Sequence, residues 1–199
     1  MNNEKIKYLL AKVVLDNDQK AYKELFIGLH ENLHRFALSI LKSKEDAEEV
    51  VSDFFITVWQ KRESLNAIEN LRLYFFVSVK NLSINKLSQR KKYNTVFNEE
   101  YLVHFKSPFF NPAELMLSRE AVGKIMDAIN ELPPRCKLIF RLIREDALRY
   151  HEVATLLNIS IKTVEAQMAI AVKRISNSYN FKSQFPELHS ILSGKNSNQ

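Results

Sequence analysis

The sequence predicts an all-α protein of two small helical domains joined by a flexible linker, and three observations support that prediction. Only three Gly and five Pro occur among 199 residues, so residues that break helices are rare. Apolar residues make up 46% of the chain, which is enough to form real cores. They recur at helical spacing, whereas the alternation that is typical of strands is scarce.

Composition also argues against two classes of protein. The chain contains no run of 18 apolar residues, and the segment MNNEKIKYLLAKVV carries charges through its apolar positions, unlike a signal peptide. The single cysteine, Cys136, cannot form an internal disulfide, which fits a reducing compartment. We therefore expect a cytoplasmic protein rather than a membrane-spanning or secreted one.

Charge is distributed unevenly along the chain, whose formal net charge is +6. Residues 1–95 hold 16 Lys and Arg against 12 Asp and Glu, residues 96–131 hold 3 against 6, and residues 132–199 hold 10 against 5. Two basic blocks thus flank an acidic connector. This arrangement favours two domains that face nucleic acid.

Four helices are predicted in the N-terminal half, where polar breaks separate segments of helical period. They run from about Glu4 to the break LDND, from Gln19 to Leu41, from Lys44 to Arg62 and from Leu71 to Lys92. The segment KRESLNAIEN between the last two helices is polar and predicts a loop.

Helical period is then lost until Ala113, where a helix to Asn130 is predicted. Pro133-Pro134 interrupts the pattern and can start the next helix, from Arg135 to Arg144, because proline suits the first turn. The predicted organisation is a first domain over residues 1–92, a linker over 93–112, a second domain over 113–180 and a polar tail over 181–199.

The stretch EVATLLNISIKTVEAQMAIAVKRI contains two helical patterns separated by a very short turn. Val153, Leu156 and Leu157 share one face of the first pattern. The apolar face of the second consists of Ile161, Val164, Met168, Ala171, Val172 and Ile175. Asn158 suits the left-handed conformation that a tight turn needs, and Ser160 can cap the second helix. This spacing predicts a helix-turn-helix in the second domain.

The opposite face of that second helix combines small and polar side chains, which suit entry into a DNA major groove. The candidate DNA contacts are Lys162, Thr163, Glu165, Ala166, Gln167, Ala169, Ile170, Lys173 and Arg174. Of these, Lys173 and Arg174 can hold phosphates, and Ile170 can meet a thymine methyl group. An ordinary helical hairpin with a solvated face explains the same pattern and stays open as an alternative.

The segment DAEEVVSDFFITVW predicts a helix with a wide apolar stripe. The members of the stripe are Ala47, Val50, Val51, Phe54, Phe55 and Val58. The opposite face is acidic around one isoleucine and consists of Glu45, Glu49, Ser52, Asp53, Ile56 and Gln60. Such a face suits docking to a basic partner helix, and a plain solvated face is the alternative.

The segment NLRLYFFVSVKNLSINKLSQRKK contains six positive charges and no negative one. Tyr74, Phe75 and Phe76 lie within it. Basic and aromatic residues together favour single-stranded nucleic acid, because bases stack and phosphates pair. Alternatively, Phe75 and Leu82 belong to the core and the basic residues only solubilise the helix.

In this order, the segments resemble the sigma factors of bacterial RNA polymerase, of the extracytoplasmic-function (ECF) group. The resemblance extends from about Asp16 to Ile175. DAEEVVSDFFITVW is similar to the family's core-binding helix, and NLRLYFFVSVKNLSINKLSQRKK to its promoter-melting and −10 segment. The stretch LPPRCKLIFRLIREDALRYHEVATLLNISIKTVEAQMAIAVKRI is similar to its −35-binding domain.

The resemblance implies a protein that is not an enzyme but binds core RNA polymerase, recognises −35 and −10 promoter elements and melts DNA. The residues that match the polymerase-binding surface are Glu49, Ser52, Asp53 and Ile56. The loop from Lys61 to Asn70 matches the segment that captures a flipped base of the −10 element, which makes Asn66 and Asn70 candidates. Arg72, Tyr74, Lys80 and Asn81 would border the melted strand. The implied partners are core RNA polymerase, promoter DNA and an anti-sigma factor, with no cofactor, metal or small-molecule substrate.

Other functions stay open at the level of sequence. A helix-turn-helix regulator that is not a polymerase subunit could carry an N-terminal receiver with alternating strands and helices, a pattern that residues 1–92 do not show. A metalloenzyme could use His30 and His34, at i, i+4 spacing, but no third ligand accompanies them in the sequence. Cys136, near a helix N-terminus, is either an activated thiol or a small buried one, and the second fits better. A scaffold that binds only proteins is disfavoured by the base-facing helix.

Overall fold

The computed structural model describes residues 1–91 and 119–177, and within these two ranges every regular element is an α-helix. The chain divides into two compact units. The predicted linker over 93–112, the first part of the helix predicted from Ala113 and the tail over 181–199 lie outside the described residues. The prediction of an all-α protein is confirmed. No helix in the described part is long and apolar enough to cross a membrane.

Five helices of the first unit are described: α1 (Asn3–Asp16), α2 (Gln19–Leu41), α3 (Lys44–Gln60), α4 (Arg62–Leu65) and α5 (Leu71–Lys91). α2 begins and ends at the predicted residues. Asp18 caps its first turn, and Lys42 ends it in the left-handed region at φ 61°. The short α4 lies in the segment predicted as a loop, so that prediction was wrong for four residues.

The core of the first unit lies between α2, α3 and α5, and α1 packs against α2 and α5. The ring centroids of Phe54 and Phe75 lie 5.1 Å apart in an edge-to-face contact, and those of Phe36 and Phe76 lie 5.2 Å apart. The predicted apolar stripe of α3 is buried at every position. Phe75 and Phe76 are therefore core residues rather than platforms for bases, whereas Tyr74 is half-buried.

Four helices of the second unit are described: α6 (Arg119–Asn130), α7 (Pro134–Arg144), α8 (Tyr150–Leu157) and α9 (Ile161–Asn177). α9 packs against α6, α7 and α8. Its buried residues are Val164, Met168, Ala171 and Ile175. Ile161 was predicted to be buried, but it is 47% exposed. It is the first residue of α9, and because side chains tilt toward the helix N-terminus, it extends beyond the helix end.

Candidate functional site

One face of α3 is acidic and exposed, as predicted from the sequence. Glu45, Glu49, Asp53 and Gln60 are exposed, and Ser52 is half-buried. Ile56 lies on the same face and is 55% exposed. The face therefore combines an accessible apolar side chain with carboxylates around it, which is a suitable surface for a basic protein partner.

Glu49 is tied to the neighbouring helix. Its carboxylate accepts a hydrogen bond from the Lys86 ammonium of α5. This ion pair engages one carboxylate oxygen at the surface, where such a pair contributes little to stability. Asp53 and Ile56 lie one and two turns further along α3 on the same face, and both are exposed.

A cavity of about 210 Å³ lies between α3, α4 and α5. Its lining on α5 includes Tyr74, Ser78, Asn81 and Asn85, which recur at helical spacing. The remaining lining residues are Phe54, Thr57, Val58, Lys61, Leu65 and Leu82. A mainly apolar cavity with a few hydrogen-bonding side chains is typical of a ligand site. The carboxamides of Asn81 and Asn85 can donate and accept hydrogen bonds, as the edge of a heterocyclic base requires.

Trp59 holds the bend between α3 and α4 beside this cavity. The Tyr22 hydroxyl donates to the Phe55 carbonyl at 2.6 Å, and the Tyr22 ring meets Trp59 edge to face with centroids 4.9 Å apart. The Arg62 guanidinium lies 4.9 Å from the centre of the Trp59 ring and donates to the Trp59 carbonyl at 2.8 Å. These contacts anchor the backbone from which the cavity's α4 side is built.

Two residues of the predicted −10 and melting set, Tyr74 and Asn81, line this cavity together. Asn66 is exposed on the segment after α4. Sequence reasoning missed Ser78 and Asn85, although a signal for them exists. With Tyr74 and Asn81 they form the series i, i+4, i+7, i+11, which defines one face of a helix.

The other predicted residues of that set occupy different positions. The Asn70 side chain caps α5, because its Oδ1 accepts the Leu73 N–H at 3.0 Å. Lys80 is half-buried. Arg72 is only 4% exposed, so its side chain is not on the surface where the sequence comparison put it. Similarity to a motif predicts where a residue lies along a helix, but it does not predict which neighbouring side chains cover that residue.

The second unit contains the predicted helix-turn-helix, formed by α8 and α9. Asn158 ends α8 in the left-handed region at φ 54° and ψ 51°, and its N–H bonds to the carbonyls of Ala154 and Thr155. Ser160 caps α9, because its Oγ accepts the Thr163 N–H at 3.0 Å. The expected roles of both residues are confirmed.

The outward face of α9 has the exposure that its predicted function requires. The exposed members of the candidate set are Lys162, Glu165, Ala166, Ala169, Ile170, Lys173 and Arg174, and the half-buried members are Thr163 and Gln167. Small side chains at Ala166 and Ala169 leave the backbone of α9 accessible to a groove. Ile170 beside them is 40% exposed and offers an apolar contact.

Cys136 lies behind this face and is fully buried. Its Sγ–H donates to the Gln167 carbonyl at 3.2 Å. Burial raises the pKa of the thiol, and the charge of Arg174 offsets this only in part. The alternative that Cys136 is an activated thiol is therefore wrong. Cys136 is a packing residue that contacts α9.

His30 and His34 stack on α2 with ring centroids 5.9 Å apart. The Glu48 carboxylate of α3 approaches both rings, at 3.2 Å from His30 Nε2 and 3.7 Å from His34 Nε2. The neighbouring helix thus brings a carboxylate to the two histidines, which the sequence alone did not indicate. Even so, across residues 1–91 and 119–177, no three or more His, Cys, Asp or Glu side chains are arranged to hold a metal ion.

Two family models match the chain, and together they cover more than half of it. The model described as sigma-70 region 2 matches residues 25–93, and the one described as sigma-70 region 4 matches residues 123–175. The chain belongs to the sigma-70 family. This is the family that the sequence resembled.

Relatives of this sigma factor cover most of its length. It is 22% identical over 182 residues to RNA polymerase sigma factor NccH of Alcaligenes xylosoxydans xylosoxydans, covering 88% of this chain and 96% of that one. It is 23% identical over 177 residues to the ECF RNA polymerase sigma-E factor of Haemophilus influenzae, covering 84% and 92%. The solved sigma factor RpoE in complex with the anti-sigma factor NepR from Bartonella quintana is 21% identical, with TM-score 0.49, over 80% of this chain and 96% of that one. The predicted resemblance to ECF sigma factors is confirmed.

The surfaces described above fall within the matched regions of this sigma factor. Region 2 contains the acidic face of α3 and the cavity, and region 4 contains the helix-turn-helix. α1 precedes residue 25 and lies outside both matches.

Proposed function

We propose that this sigma factor binds core RNA polymerase through α3 and reads two promoter elements with two separate surfaces. The observation that carries the proposal is the cavity of about 210 Å³, which has an aromatic residue and two carboxamides along α5. Ligand pockets usually measure about 300–1,000 Å³. A smaller cavity suits a single extruded base better than a whole nucleotide or a cofactor.

The −10 element is assigned to this cavity and the residues beside it. Extruding a base costs a few kcal/mol, and stacking on Tyr74 with hydrogen bonds to Asn81 and Asn85 would offset that cost. Asn66 and Lys80 are assigned to the strand outside the cavity. Asn70 is assigned a supporting role, because its side chain caps α5. Arg72 is assigned no direct contact, because its side chain is buried.

The −35 element is assigned to α9. Small residues on its outward face allow close approach to base edges, and Gln167 and Lys162 carry donors that can reach them. Ile170 is assigned to a thymine methyl group. Lys173 and Arg174, both exposed, are assigned to phosphates, which position the helix without reading sequence.

Core RNA polymerase is assigned to the acidic face of α3. An apolar anchor within a charged rim is the usual composition of a specific protein interface, and Ile56 with Asp53 supplies both. Charge complementarity would mainly speed association and exclude wrong partners. Glu49 contributes to the same face while it bonds to Lys86.

An anti-sigma factor is proposed as the regulator, since ECF sigma factors are commonly held by one. The cytoplasm is the proposed location, because the polymerase and its promoters are there. The protein itself is a transcription initiation factor, and the proposal assigns it no catalytic step.

Transcription by purified core polymerase, with and without this protein, on fragments of the source genome tests the function directly. We expect new start sites that share two upstream sequence elements. DNA binding without new starts would favour a helix-turn-helix regulator that is not a polymerase subunit. If neither new starts nor DNA binding occurs, pull-down with core polymerase separates two explanations. A sigma factor whose DNA-reading surfaces are blocked still binds polymerase, whereas a protein with another function does not.

A further inference from the structure

The start of α5 is held by a side chain from the first residue of α1. Asn3 donates through Nδ2 to the carbonyl of Glu69 at 3.1 Å. Its Oδ1 accepts the backbone N–H of Arg72 at 3.2 Å. One carboxamide therefore connects the end of the loop between α4 and α5 to the first turn of α5, across more than sixty residues of sequence.

These bonds meet a requirement of every helix start. The first four N–H groups of an α-helix have no acceptor within the helix. In α5, Asn70 supplies an acceptor to the Leu73 N–H, and Asn3 supplies one to the Arg72 N–H. The position at which α5 begins thus depends on two asparagines, one local and one from α1.

Asn3 is presented from a well-anchored helix. The buried side chains of α1 are Ile6, Leu9, Leu10 and Val13. Asn2 caps the helix, accepting the Lys5 N–H at 2.9 Å. α1 also contacts α2, α4 and α5. Because α1 is already ordered by this packing, little further entropy is lost when Asn3 makes its two bonds.

The segment that Asn3 holds joins two parts of the cavity lining. Leu65 lines the cavity from α4, and Tyr74 lines it from the first turn of α5. The segment that connects Leu65 to Tyr74 contains Glu69 and Arg72, the two residues to which Asn3 is hydrogen-bonded. A shift of this segment would change the distance between the ring of Tyr74 and the opposite wall.

We propose that Asn3 is a positioning residue for base recognition: it holds the loop against α5 so that the cavity keeps the shape that accepts an extruded base. The inference rests on the proposed function of the cavity and adds a residue to it from a helix outside the region 2 match. It gives α1 a function beyond stability.

The test compares Asn3→Ala with Asn2→Ala in the full-length protein. Both remove one asparagine from the start of α1, but Asn2→Ala removes the helix cap and none of the atoms that form the two bonds to the loop and α5. A third variant, Asn3→Asp, keeps an acceptor for the Arg72 N–H and loses the donor to Glu69. With core polymerase, transcription is measured from one mapped promoter and from all its single-base −10 variants.

We expect Asn3→Ala to reduce the preference for the correct base at the captured −10 position about tenfold, since two ordinary hydrogen bonds are lost. Asn2→Ala should lower thermal stability without changing that preference, and Asn3→Asp should restore part of it. If Asn3→Ala keeps the wild-type preference, or if Asn2→Ala loses it equally, Asn3 is only a structural residue and the inference is wrong.

Amide hydrogen exchange of the free protein tests the role of Asn3 separately from the proposed function. Asn3→Ala should accelerate amide exchange over residues 66–73, and Asn2→Ala should accelerate it only in the first turn of α1. Unchanged exchange over residues 66–73 would overturn the inference even in an active sigma factor. If the wild-type protein directs no new starts, the proposed function itself has failed.

Discussion

Asn158 explains how the helix-turn-helix has a tight turn without glycine. The left-handed conformation that it adopts costs most residues about 1–2 kcal/mol, because the β-carbon approaches the following carbonyl. Asparagine adopts it more readily than other residues with a β-carbon, since its short polar side chain can bond locally. The sequence therefore specifies the turn through one residue at the end of α8, at φ 54°.

Two substitutions separate this conformational effect from side-chain contacts. Asn158→Ala should lower the free energy of unfolding by about 1 kcal/mol, whereas Asn158→Gly should leave it nearly unchanged because glycine accepts positive φ. Denaturant unfolding followed by circular dichroism measures both. Equal losses in the two variants would mean that the carboxamide, and not the backbone conformation, is what matters.

At the scale of the element, α9 is assigned a phosphate-binding end and a base-reading face. Replacing both Lys173 and Arg174 with Ala should weaken binding to duplex DNA of any sequence. The slope of log affinity against log salt should become shallower by about 1.8, if each residue neutralises one phosphate. Fluorescence anisotropy over a range of salt concentrations measures this slope.

A matched control removes the same charge elsewhere. Lys20 and Lys23 are exposed on α2, and their replacement by Ala should leave the salt slope unchanged. A slope that changes equally in both double variants would show that net charge, rather than the position of Lys173 and Arg174 on α9, governs DNA binding.

The acidic face of α3 is the second surface for which a specific function is proposed. Asp53→Arg together with Ile56→Arg reverses a charge and removes the apolar anchor, so it should abolish binding to core polymerase. Both side chains are exposed, and the fold should therefore persist. Pull-down of core polymerase measures binding, and circular dichroism measures the fold.

The neighbouring helix offers a control of the same chemistry. Ile27 and Glu31 of α2 are also an exposed isoleucine and an exposed acid, four residues apart where Asp53 and Ile56 are three apart. Replacing both with Arg should leave polymerase binding intact. If a folded α3 variant still binds polymerase, or if the α2 control loses binding to the same extent, the interface has been assigned to the wrong surface.

At the scale of the whole molecule, polymerase binding and −35 recognition are assigned to different compact units. The acidic face of α3 belongs to one unit and the exposed face of α9 to the other. Substitutions that share no contact partner usually act independently. The two functions should therefore be separable.

Measuring DNA binding by the α3 variant and polymerase binding by the α9 variant tests whether the two functions are separable. The α3 variant should keep the wild-type salt slope for duplex DNA, and the α9 variant should keep wild-type affinity for core polymerase. Each should nevertheless fail to support transcription from the mapped promoter. Loss of both binding activities in either variant would show that the two surfaces are coupled.

The sequence by itself determined the described helices other than the short α4, the turn between α8 and α9 and the acidic face of α3. These features depend on information within one or two turns of chain: the period of the apolar residues, the caps at Asp18 and Ser160, and Asn158 in the turn. Such signals act between near neighbours, so they can be read without knowing how the helices pack.

The tertiary structure alone decided which residues meet from different helices. It buried Arg72, exposed Ile161, brought Glu48 to two histidines and assembled the cavity from α3, α4 and α5. It also placed Asn3 against a loop more than sixty residues away. Helical periodicity specifies which face of each helix is apolar, but the pairing of faces depends on how the helices pack, and that is a property of the folded chain as a whole.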